Sequence, residues 1–536
     1  MTQSRTHNCN ELRLSNAGEK VTLVGWYENL RKVSKNLGFL ILRDFYGTTQ
    51  IVVETEEMME KLDGVNKEST ISVTGTVRER SNKNTELPTG EIEVVPEGIE
   101  ILGKCIYNAL PFEINQSREA DENTRLKYRY LDLRNPNMKK NIVMRSQIVA
   151  ELRQRMYALN FMEITTPILT CSSPEGARDY LVPARNHPGK FYALPQAPQQ
   201  FKQILMASGF DRYFQIAPCF RDEDARADRS PGEFYQLDME MAFASQEDVF
   251  SIVEQVLPPV FEKYGIYKEA SKAPFVRIPY LEAMDKYGSD KPDLRIDLVL
   301  TDATEVMQGC GFAAFEGQTV KAIVVDGFTA TRKQIDAICA EVEVQTARKG
   351  FWFRVDENGE FVGGISKFLQ DRKEEVIKAL GLKNGDFVGL AAGKKLEAQK
   401  TAGVYRKLLG AASEKHMKKD CYEFCWIVDF PMYEIGEESG ELEFCHNPFS
   451  MPQGGMDALN NQDTALISGC TEEYKAALAQ GVVSDTHKAN LYVMGTAECN
   501  PAAIKSTAAD GTARVSCYVK LTYTHSDRES HEETPA

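Results

Sequence analysis

The chain has 536 residues, which at roughly 100 to 200 residues per domain predicts about three or four domains. Its 42% hydrophobic and 26% charged residues are typical of a globular protein, so disorder, collagen and coiled coil are excluded for the chain as a whole. The 63 basic and 78 acidic residues give a net charge of −15, which excludes nucleic-acid binding through bulk charge and leaves that role to local basic patches.

Targeting and redox signals are weak. No apolar run approaches the roughly 20 residues that cross a bilayer, and the first 20 residues lack the apolar core of a signal peptide, so a cytoplasmic protein without membrane partners is expected. The 12 cysteines are dispersed. The close pair Cys421 and Cys425 has no second Cys or His pair nearby, so reduced thiols are predicted ahead of a metal site.

Five short alternating runs lie between Lys20 and Leu102, separated by Gly, Asn and charged residues. They are VTLVGWYENL, GFLILRDF, TTQIVVET, STISVTGTVRER and GEIEVVPEGIEIL. Five strands in about ninety residues favour a small barrel such as an OB-fold, whose strand face binds oligonucleotides. A small sandwich is the alternative.

The next segments predict a hinge and the start of a second domain. Residues Glu113–Thr124 are polar and lack apolar periodicity, which indicates a connector. Asn141–Asn160 has the three and four spacing of an amphipathic helix. FMEITTPIL then reads as a strand with Pro167 near its end.

Strands and helices alternate between Lys190 and Phe243, ending in EFYQLDMEMAF, whose alternation fits a sheet with one face on a core. This predicts an antiparallel α+β domain. From Pro292 to Gly410 the sequence changes to a self-contained α/β mixture, and CWIVDFPMYE reads as a return to the sheet. An inserted domain fits that order.

The densest charge cluster runs from Phe220 to Arg229 at a break between two strands. Arg221 at a strand end can clamp a phosphate or carboxylate, while Asp222 or Glu223 can hold an amine, a ribose or Mg²⁺. The alternative is a solvated hairpin tip whose charges pair with one another, and the charge pattern alone favours it.

Two upstream segments place further charges and amides at turns. Glu175, Gln199 and Lys202 can together bind a zwitterion, with Lys202 on a carboxylate and Glu175 on an ammonium. His446 can donate to a carboxylate. Taken singly, each is more simply explained as a surface or structural residue.

Several blocks resemble one family closely. GARDYLVP, ALPQAPQQFKQILMASGFDRYFQI, CFRDEDARADR, GSDKPDLR and VDFPM resemble the bacterial-type aspartyl-tRNA synthetases, which are class II aminoacyl-tRNA synthetases, from about residue 8 to Asp463. The resemblance implies an OB-fold that binds the anticodon, an α+β catalytic domain with an antiparallel sheet, and an inserted α/β domain. It implies ATP-dependent activation of L-aspartate and transfer to tRNA(Asp).

The implied domain boundaries follow the composition changes. The OB-fold takes 1–105, the hinge 106–140, the catalytic domain 141–290 and 413–463, the insertion 291–412, and a divergent tail 464–536.

The resemblance also assigns roles to residues of the catalytic domain. Arg221 matches the arginine that bridges the aspartate carboxylate and the ATP α-phosphate, an electrostatic clamp on the developing charge. Glu223 matches an acid that contacts ATP, beside Asp222, and Phe234 matches the ring that stacks on adenine. The positions around the amino acid are Glu175, Gln199, Lys202, Arg221, Gln236, Asp238 and His446.

Lys202 supplies a reason for choosing aspartate over asparagine. A neutral amide would leave its desolvated ammonium unpaired. In the barrel, Phe39 and Gln50 match positions that stack on and hydrogen-bond to anticodon bases, and Arg31 with Lys32 and Lys35 adds local positive charge. Without the resemblance, Phe39 would be read as core.

The resemblance further implies Mg²⁺ with ATP, with its protein ligands left open, and a homodimer formed through the long helix and the strand ending at Pro167. Charging of tRNA(Asn) as well as tRNA(Asp) is left open.

The sequence departs from the family pattern after Asp463. Thr464–Ala536 contains two arginines, Arg514 and Arg528, and neither lies in the Gly-x-Gly-x-x-Arg setting that contacts the ATP γ-phosphate in the family. A frameshifted reading frame, a paralogue without catalysis and a divergent but competent tail are the three explanations, and the abrupt change favours the first. Two functions therefore stay open, an aspartate–tRNA ligase and a non-catalytic tRNA-binding paralogue.

Overall fold

The computed structural model describes residues 4–172, 177–223 and 232–431, and the backbone of short strands beyond them. The chain divides into two compact units, Met1–Ile148 and Val149–Ala536.

The first unit contains a closed five-stranded barrel. Its elements are β1 (Lys20–Ser34), β2 (Leu37–Arg43), β3 (Thr48–Val53), α1 (Glu56–Lys61), β4 (Thr70–Glu79) and β5 (Ile92–Gly103), with a 3-10 turn at Leu14–Asn16. The strand order is β1-β2-β3-β5-β4, with β3 parallel to β5 and the other neighbours antiparallel. The predicted OB-fold is confirmed, and the alternative of a small sandwich is wrong.

Alternation along the strands places one set of side chains in the barrel interior. Val21, Leu23 and Leu40 are fully or almost fully buried, whereas Arg31 and Phe39 lie on the outer face. Burying each aliphatic side chain of this size contributes about 1.5–3 kcal/mol. The barrel therefore holds its outer face in a fixed register.

The predicted hinge is more ordered than its polar sequence indicates. It contains a 3-10 helix (Ile114–Glu119), α2 (Glu122–Lys127) and α3 (Arg129–Asp132), followed by α4 (Pro136–Ala158). Phe112, Ile114 and Leu131 form a small core of their own. Asp132 is fully buried and accepts a 2.7 Å hydrogen bond from Ser117. Although burial alone would raise the pKa of Asp132, the hydrogen bond from Ser117 and the nearby Arg125 and Arg129 lower it.

The second unit begins with the sheet that carries the candidate site. Its elements are β6 (Met162–Glu163), β7 (Leu181–Pro183), β8 (Phe191–Ala193), α5 (Gln199–Ala207), β9 (Arg212–Phe220), β10 (Glu233–Met241) and α6 (Gln246–Tyr264). β9 and β10, each nine residues long, form an antiparallel hairpin, and β6 pairs with β9 in parallel.

One face of this hairpin is apolar. Phe214 and Leu237 pack with Met156 of α4 and with Ile252 and Val256 of α6. Because side chains alternate along a strand, the next residues along β9 and β10 face the other way. That opposite face is polar, and it carries the candidate site.

The strand predicted at FMEITTPIL is wrong in length, since only Met162–Glu163 form a ladder. The backbone N–H of Thr166 donates to the side-chain Oε1 of Gln215 at 3.2 Å rather than to a strand. Pro167 has no N–H to donate. At Thr166 a side-chain amide therefore takes the place of a neighbouring strand as the hydrogen-bond acceptor.

The segment predicted as an insertion forms a five-stranded sheet. The elements from α6 onward are β11 (Glu269–Ala270), β12 (Val276–Pro279), α7 (Tyr280–Tyr287), β13 (Leu300–Asp302), α8 (Thr304–Met307), β14 (Thr319–Val325), α9 (Arg332–Thr346), β15 (Phe351–Val355), β16 (Phe361–Val362), 3-10 turns at Ser366–Phe368 and Gln370–Arg372, α10 (Lys373–Leu380), β17 (Phe387–Gly393), α11 (Lys395–Ala412), β18 (Cys421–Tyr422) and β19 (Cys425–Val428). The sheet order is β13-β14-β17-β15-β16, and every neighbouring pair is antiparallel. The predicted return of CWIVDFPMYE to the sheet of β9 and β10 is not seen in the described residues, because β19 pairs in parallel with β12 in a separate two-stranded sheet.

The backbone of six further short strands is described. They are β20 (Tyr433–Ile435), β21 (Leu442–Phe444), β22 (Ile504–Thr507), β23 (Ala513–Val515), β24 (Leu521–Thr522) and β25 (Glu532–Glu533). Among the residues described, no helix is long and apolar enough to span a membrane. The eight cysteines of the described ranges form no disulfide with one another.

Candidate active site and nucleic-acid interface

The β9–β10 hairpin aligns its polar residues on one face. Gln236 lies opposite Ala217, Asp238 opposite Gln215 and Glu240 opposite Tyr213. Residues directly opposite in an antiparallel pair share a face. This face therefore carries two acids, two amides and a phenol.

Lys202 reaches this face from α5 and forms its central ion cluster. Its Nζ lies 2.9 Å from Oδ1 of Asp238 and 2.8 Å from Oε1 of Glu240. Gln236 donates to the same Asp238 oxygen at 3.3 Å. The Lys202 side chain is 11% exposed and Asp238 is 5% exposed. Burial would lower the pKa of Lys202, but the two carboxylates outweigh it and raise the pKa.

Two polar atoms of the cluster are buried without a hydrogen-bond partner in the described part of the chain, Oδ2 of Asp238 and the hydroxyl of Tyr213. Burial, reinforced by the neighbouring Asp238, raises the pKa of Tyr213, so its phenol stays neutral. A buried carboxylate oxygen without a donor is costly. Oδ2 of Asp238 is therefore an acceptor that the neighbouring Tyr213 hydroxyl or a ligand cation can satisfy.

Arg221 lies at the far end of the same face, directly after β9. Its guanidinium is half-buried and stacks over the Phe234 ring, 5.1 Å from the ring centre. Its backbone N–H donates to Gly232 O at 2.7 Å, which closes the hairpin. Gly232 has φ +78°, and a Cβ there would lie 2.8 Å from the Tyr180 hydroxyl. The hairpin end therefore requires glycine at position 232.

The segment after Arg221 is held by the GARDYLVP block. Arg178 donates from Nε to Asp222 O at 2.8 Å, and Asp222 N–H donates to Arg178 O at 2.9 Å. Asp222 and Glu223 are exposed. The interpretation of this region as a self-paired hairpin tip does not describe Arg221, whose side chain packs on Phe234.

The other predicted amino-acid contacts are placed unequally. Gln199 begins α5, three residues before Lys202, so the two share a helix face. Glu175 and His446 lie outside the described residues.

The barrel site is assembled on the outer face of β1–β3. Arg31 lies opposite Phe39 and its guanidinium stacks on the ring at 4.9 Å. The amide of Gln50 on β3 donates to Glu93 at 3.1 Å and accepts from Arg80 at 3.0 Å. Lys32 pairs with Asp63 at 2.8 Å. Phe39 is half-buried on the outer face rather than part of the interior core.

Sequence reasoning missed three residues of the catalytic face, Glu240, Tyr213 and Gln215. The signal was available, because the alternation that selects Gln236 and Asp238 in EFYQLDMEM also selects Glu240. The same alternation in RYFQIAPCF selects Tyr213 and Gln215. What the sequence did not give is the pairing register that places them opposite the acids.

Comparison with known proteins agrees with this geometry. Residues 121–478 match the family profile described as tRNA synthetases class II (D, K and N), and residues 21–102 match the profile described as OB-fold nucleic acid binding domain. The chain belongs to the class II tRNA synthetases of the D, K and N group.

Curated members of this synthetase family align along most of the chain. An "Aspartate--tRNA(Asp/Asn) ligase" of Rickettsia prowazekii is 50% identical over 89% of this chain and 79% of its own length. An "Aspartate--tRNA ligase" of Streptomyces coelicolor is 51% identical over 86% of this chain and 79% of its own length. Among solved structures, an asparaginyl-tRNA synthetase from Pyrococcus horikoshii complexed with asparaginyl-adenylate aligns with TM-score 0.46 at 19% identity, covering 76% of this chain and 97% of that chain.

The polar face of the β9–β10 hairpin presents three groups that can bind charged parts of a ligand. The Lys202 ammonium can hold a carboxylate, Oδ2 of Asp238 can hold a cation, and the Arg221 guanidinium can stabilise negative charge. At about 3.4 Å per strand residue, Phe234 and Asp238 lie about 14 Å apart along β10. The Lys202 cluster and the Arg221–Phe234 pair therefore lie at opposite ends of one elongated face.

Proposed function

We propose that this synthetase is an aspartate–tRNA ligase. The aspartate α-carboxylate attacks the α-phosphorus of ATP, pyrophosphate leaves, and a terminal ribose hydroxyl of the tRNA then attacks the aspartyl carbonyl and releases AMP. The observation that carries the proposal is one strand face with a buried lysine, an unsatisfied buried carboxylate oxygen and a ring-stacked arginine.

The amino-acid end of the face suits L-aspartate. A lysine ammonium has three donors, and contacts within the described ranges use two of them, on Asp238 and Glu240. The third donor takes the substrate side-chain carboxylate, and the free Oδ2 of Asp238 takes the α-ammonium. An asparagine amide would bring no charge to Lys202, so aspartate is preferred. Gln199, Gln236, Glu175 and His446 complete this proposed pocket.

The other end of the face suits ATP. Arg221 reaches both the reacting carboxylate and the α-phosphate, and it stabilises the charge that develops during attack. Phe234 stacks on the adenine through the ring face that Arg221 does not cover. ATP enters as its magnesium complex, and the exposed carboxylates of Asp222 and Glu223 lie beside Arg221 to contact it.

The barrel binds the anticodon of tRNA(Asp). Phe39 with Arg31 provides a ring and a cation for an unstacked base, and Gln50 presents an amide oriented by Glu93 and Arg80. The two relatives described above are almost equally identical to this chain, but the name of the first includes tRNA(Asn) and the name of the second does not. Charging of tRNA(Asn) is therefore a separate property to measure, and we propose it as a second substrate.

The remaining parts of the proposal concern assembly and location. Tyr157, Met162, Ile168 and Leu169 are exposed apolar residues at the end of α4 and in the segment through Pro167. Their burial in a homodimer would remove an apolar surface from water. The domain limits given above and a cytoplasmic location belong to the same proposal.

The test is aminoacylation by the full chain. Purified protein is incubated with radiolabelled L-aspartate, ATP, Mg²⁺ and transcribed tRNA(Asp) or tRNA(Asn), and the aspartyl-tRNA is counted. We expect charging of tRNA(Asp), and loss of charging in Arg221→Ala. Charging no greater than in the Arg221→Ala variant contradicts the proposal.

That experiment also decides the alternative raised by the segment after Asp463. The profile match ends at residue 478, and 464–536 lacks a Gly-x-Gly-x-x-Arg sequence. Tight binding of tRNA by the same protein without charging would identify a chain that lacks catalysis, as both the paralogue and the frameshift explanation predict.

A further inference from the structure

The turn between β2 and β3 carries an unusual pair of side chains. Phe45 and Tyr46 are adjacent, each is 51% exposed, and their rings pack edge to face with centres 5.2 Å apart. Hairpin turns favour Asn, Asp and Gly for backbone reasons, and Asp44 and Gly47 meet that need here. The turn geometry therefore does not explain the two rings.

Hydrogen bonds hold the backbone of the turn that carries the two rings. Asp44 N–H donates to Gly47 O at 2.9 Å, and Oδ1 of Asp44 accepts from the N–H groups of Tyr46 and Gly47 at 2.8 and 3.1 Å. Its other carboxylate oxygen accepts from Cys9 N–H at 2.9 Å. A partner would therefore meet a preformed surface and lose little conformational entropy.

Each ring also has a cation beside it. Lys139 lies 4.9 Å from the centre of the Phe45 ring and donates to Phe45 O. Arg5 lies 5.8 Å from the centre of the Tyr46 ring, with Asp44 at 3.6 Å. Each ring therefore has a positively charged side chain beside it that can contact a phosphate.

The turn is continuous with the proposed anticodon surface. Phe39 and Gln50 lie on β2 and β3, the two strands that this turn connects. From Phe39 to Asp44 is five residues, about 16 Å at strand spacing. An RNA bound at Phe39 that continues along this face therefore passes the turn.

We propose that Phe45, Tyr46, Lys139 and Arg5 form a second RNA contact, which binds a base and a phosphate of the tRNA flanking the anticodon. We call these four residues the turn patch. This inference rests on the proposed function. Rings beside cations bind single-stranded nucleic acid through stacking and phosphate contacts, and the arrangement repeats that of Arg31 on Phe39. The acidic chain carries local positive charge at the point where an RNA would pass.

The test compares equilibrium binding of transcribed tRNA(Asp) and of its isolated anticodon stem-loop to the full chain. The double variant Phe45→Ala/Tyr46→Ala is expected to weaken binding of both RNAs about tenfold, the loss of one stacked base. Lys139→Ala is expected to reduce the slope of log affinity against log salt by about one. Tyr107→Ala removes another exposed ring of the first unit and is the matched control. Its affinity should equal that of the unaltered chain.

Each other outcome is informative. Unchanged RNA affinity in the double variant, with Phe39→Ala weakening it, overturns the turn patch and leaves the anticodon surface intact. A shift in the sedimentation coefficient of the double variant, with RNA affinity per protomer unchanged, overturns the proposal in favour of a contact between copies of the chain. Absence of aspartate-dependent pyrophosphate exchange in the unaltered chain, an assay without RNA, is a failure of the proposed function rather than of the turn patch.

Discussion

The barrel face and the catalytic face prepare for their ligands in different ways. In the barrel, Phe39 and Arg31 lie on an outer surface and stack on each other. On the catalytic face, Lys202 and Asp238 are almost fully buried, and one carboxylate oxygen has no donor among the described residues. Exposed groups cost little to hold in place, whereas buried charges must pair or be neutralised. Mutations should therefore affect binding alone in the barrel, but folding and binding together at the catalytic face.

The largest effect is expected from Lys202→Met. It leaves Asp238 and Glu240 without their common cation, and breaking a buried pair costs about 3 kcal/mol or more. The free energy of unfolding from urea titration should fall by about that amount, and the KM for aspartate should rise. Lys418→Met is the matched control, since Lys418 pairs with Glu423 at 2.8 Å on the surface. If both variants lose equally little stability, the contrast between the two faces is wrong.

The next effect is on catalysis at Arg221. Removing one preorganised group that stabilises developing charge typically lowers kcat about 100- to 1,000-fold. Arg221→Ala should do so in aspartate-dependent pyrophosphate exchange, and Arg221→Lys should recover a small part, because an ammonium lacks the paired donors of a guanidinium. Arg332→Ala changes an exposed arginine of the insertion and should leave exchange unaffected. Equal exchange in all three would remove Arg221 from the mechanism.

A substitution of Phe39 in the barrel is expected to affect RNA binding and not stability. Phe39→Leu keeps an apolar side chain but removes the ring, so tRNA affinity should fall about tenfold, the value of one stacked base. The melting temperature should stay within a few degrees of the unaltered chain, because Phe39 is outside the interior core. Lost stability with unchanged tRNA affinity would return Phe39 to a packing role.

The smallest effect concerns pH. The pKa of Lys202 is raised in the folded chain, so the stability it contributes is fully present below the usual lysine value of about 10.4 and is lost only as pH rises through the raised pKa. The difference in unfolding free energy between the unaltered chain and Lys202→Met should therefore stay constant from about pH 7 to 9. A difference that disappears within this range would mean that burial, not the two carboxylates, controls the ammonium.

The strands of both units could be predicted because their alternation is regular. The five barrel runs and EFYQLDMEMAF each have one apolar face, and a one-residue shift would expose that face. Prediction failed where a side chain replaced a backbone partner, as Gln215 does at Thr166. The buried Asp132 of the hinge was missed because its donors, Ser117 and Arg125, are residue types that are common on protein surfaces.

The sequence picked out several residues of the hairpin face one by one, but not their arrangement. Lys202 was assigned to a substrate carboxylate, yet two carboxylates of β10 already hold it. That arrangement depends on the position of α5 against the hairpin, which no local pattern reports. The sequence also offered no reason to single out Phe45 and Tyr46, because the turn is explained by Asp44 and Gly47 alone.

The central claim is that a buried lysine on the hairpin face selects aspartate for activation. The most direct measurement is ATP–pyrophosphate exchange by the full chain with L-aspartate and with L-asparagine, each over a range of concentrations. We predict exchange with aspartate and a kcat/KM for asparagine lower by at least about 100-fold, because a neutral amide brings no negative charge to the Lys202 ammonium. Equal exchange with the two amino acids, or none with aspartate, would contradict the account.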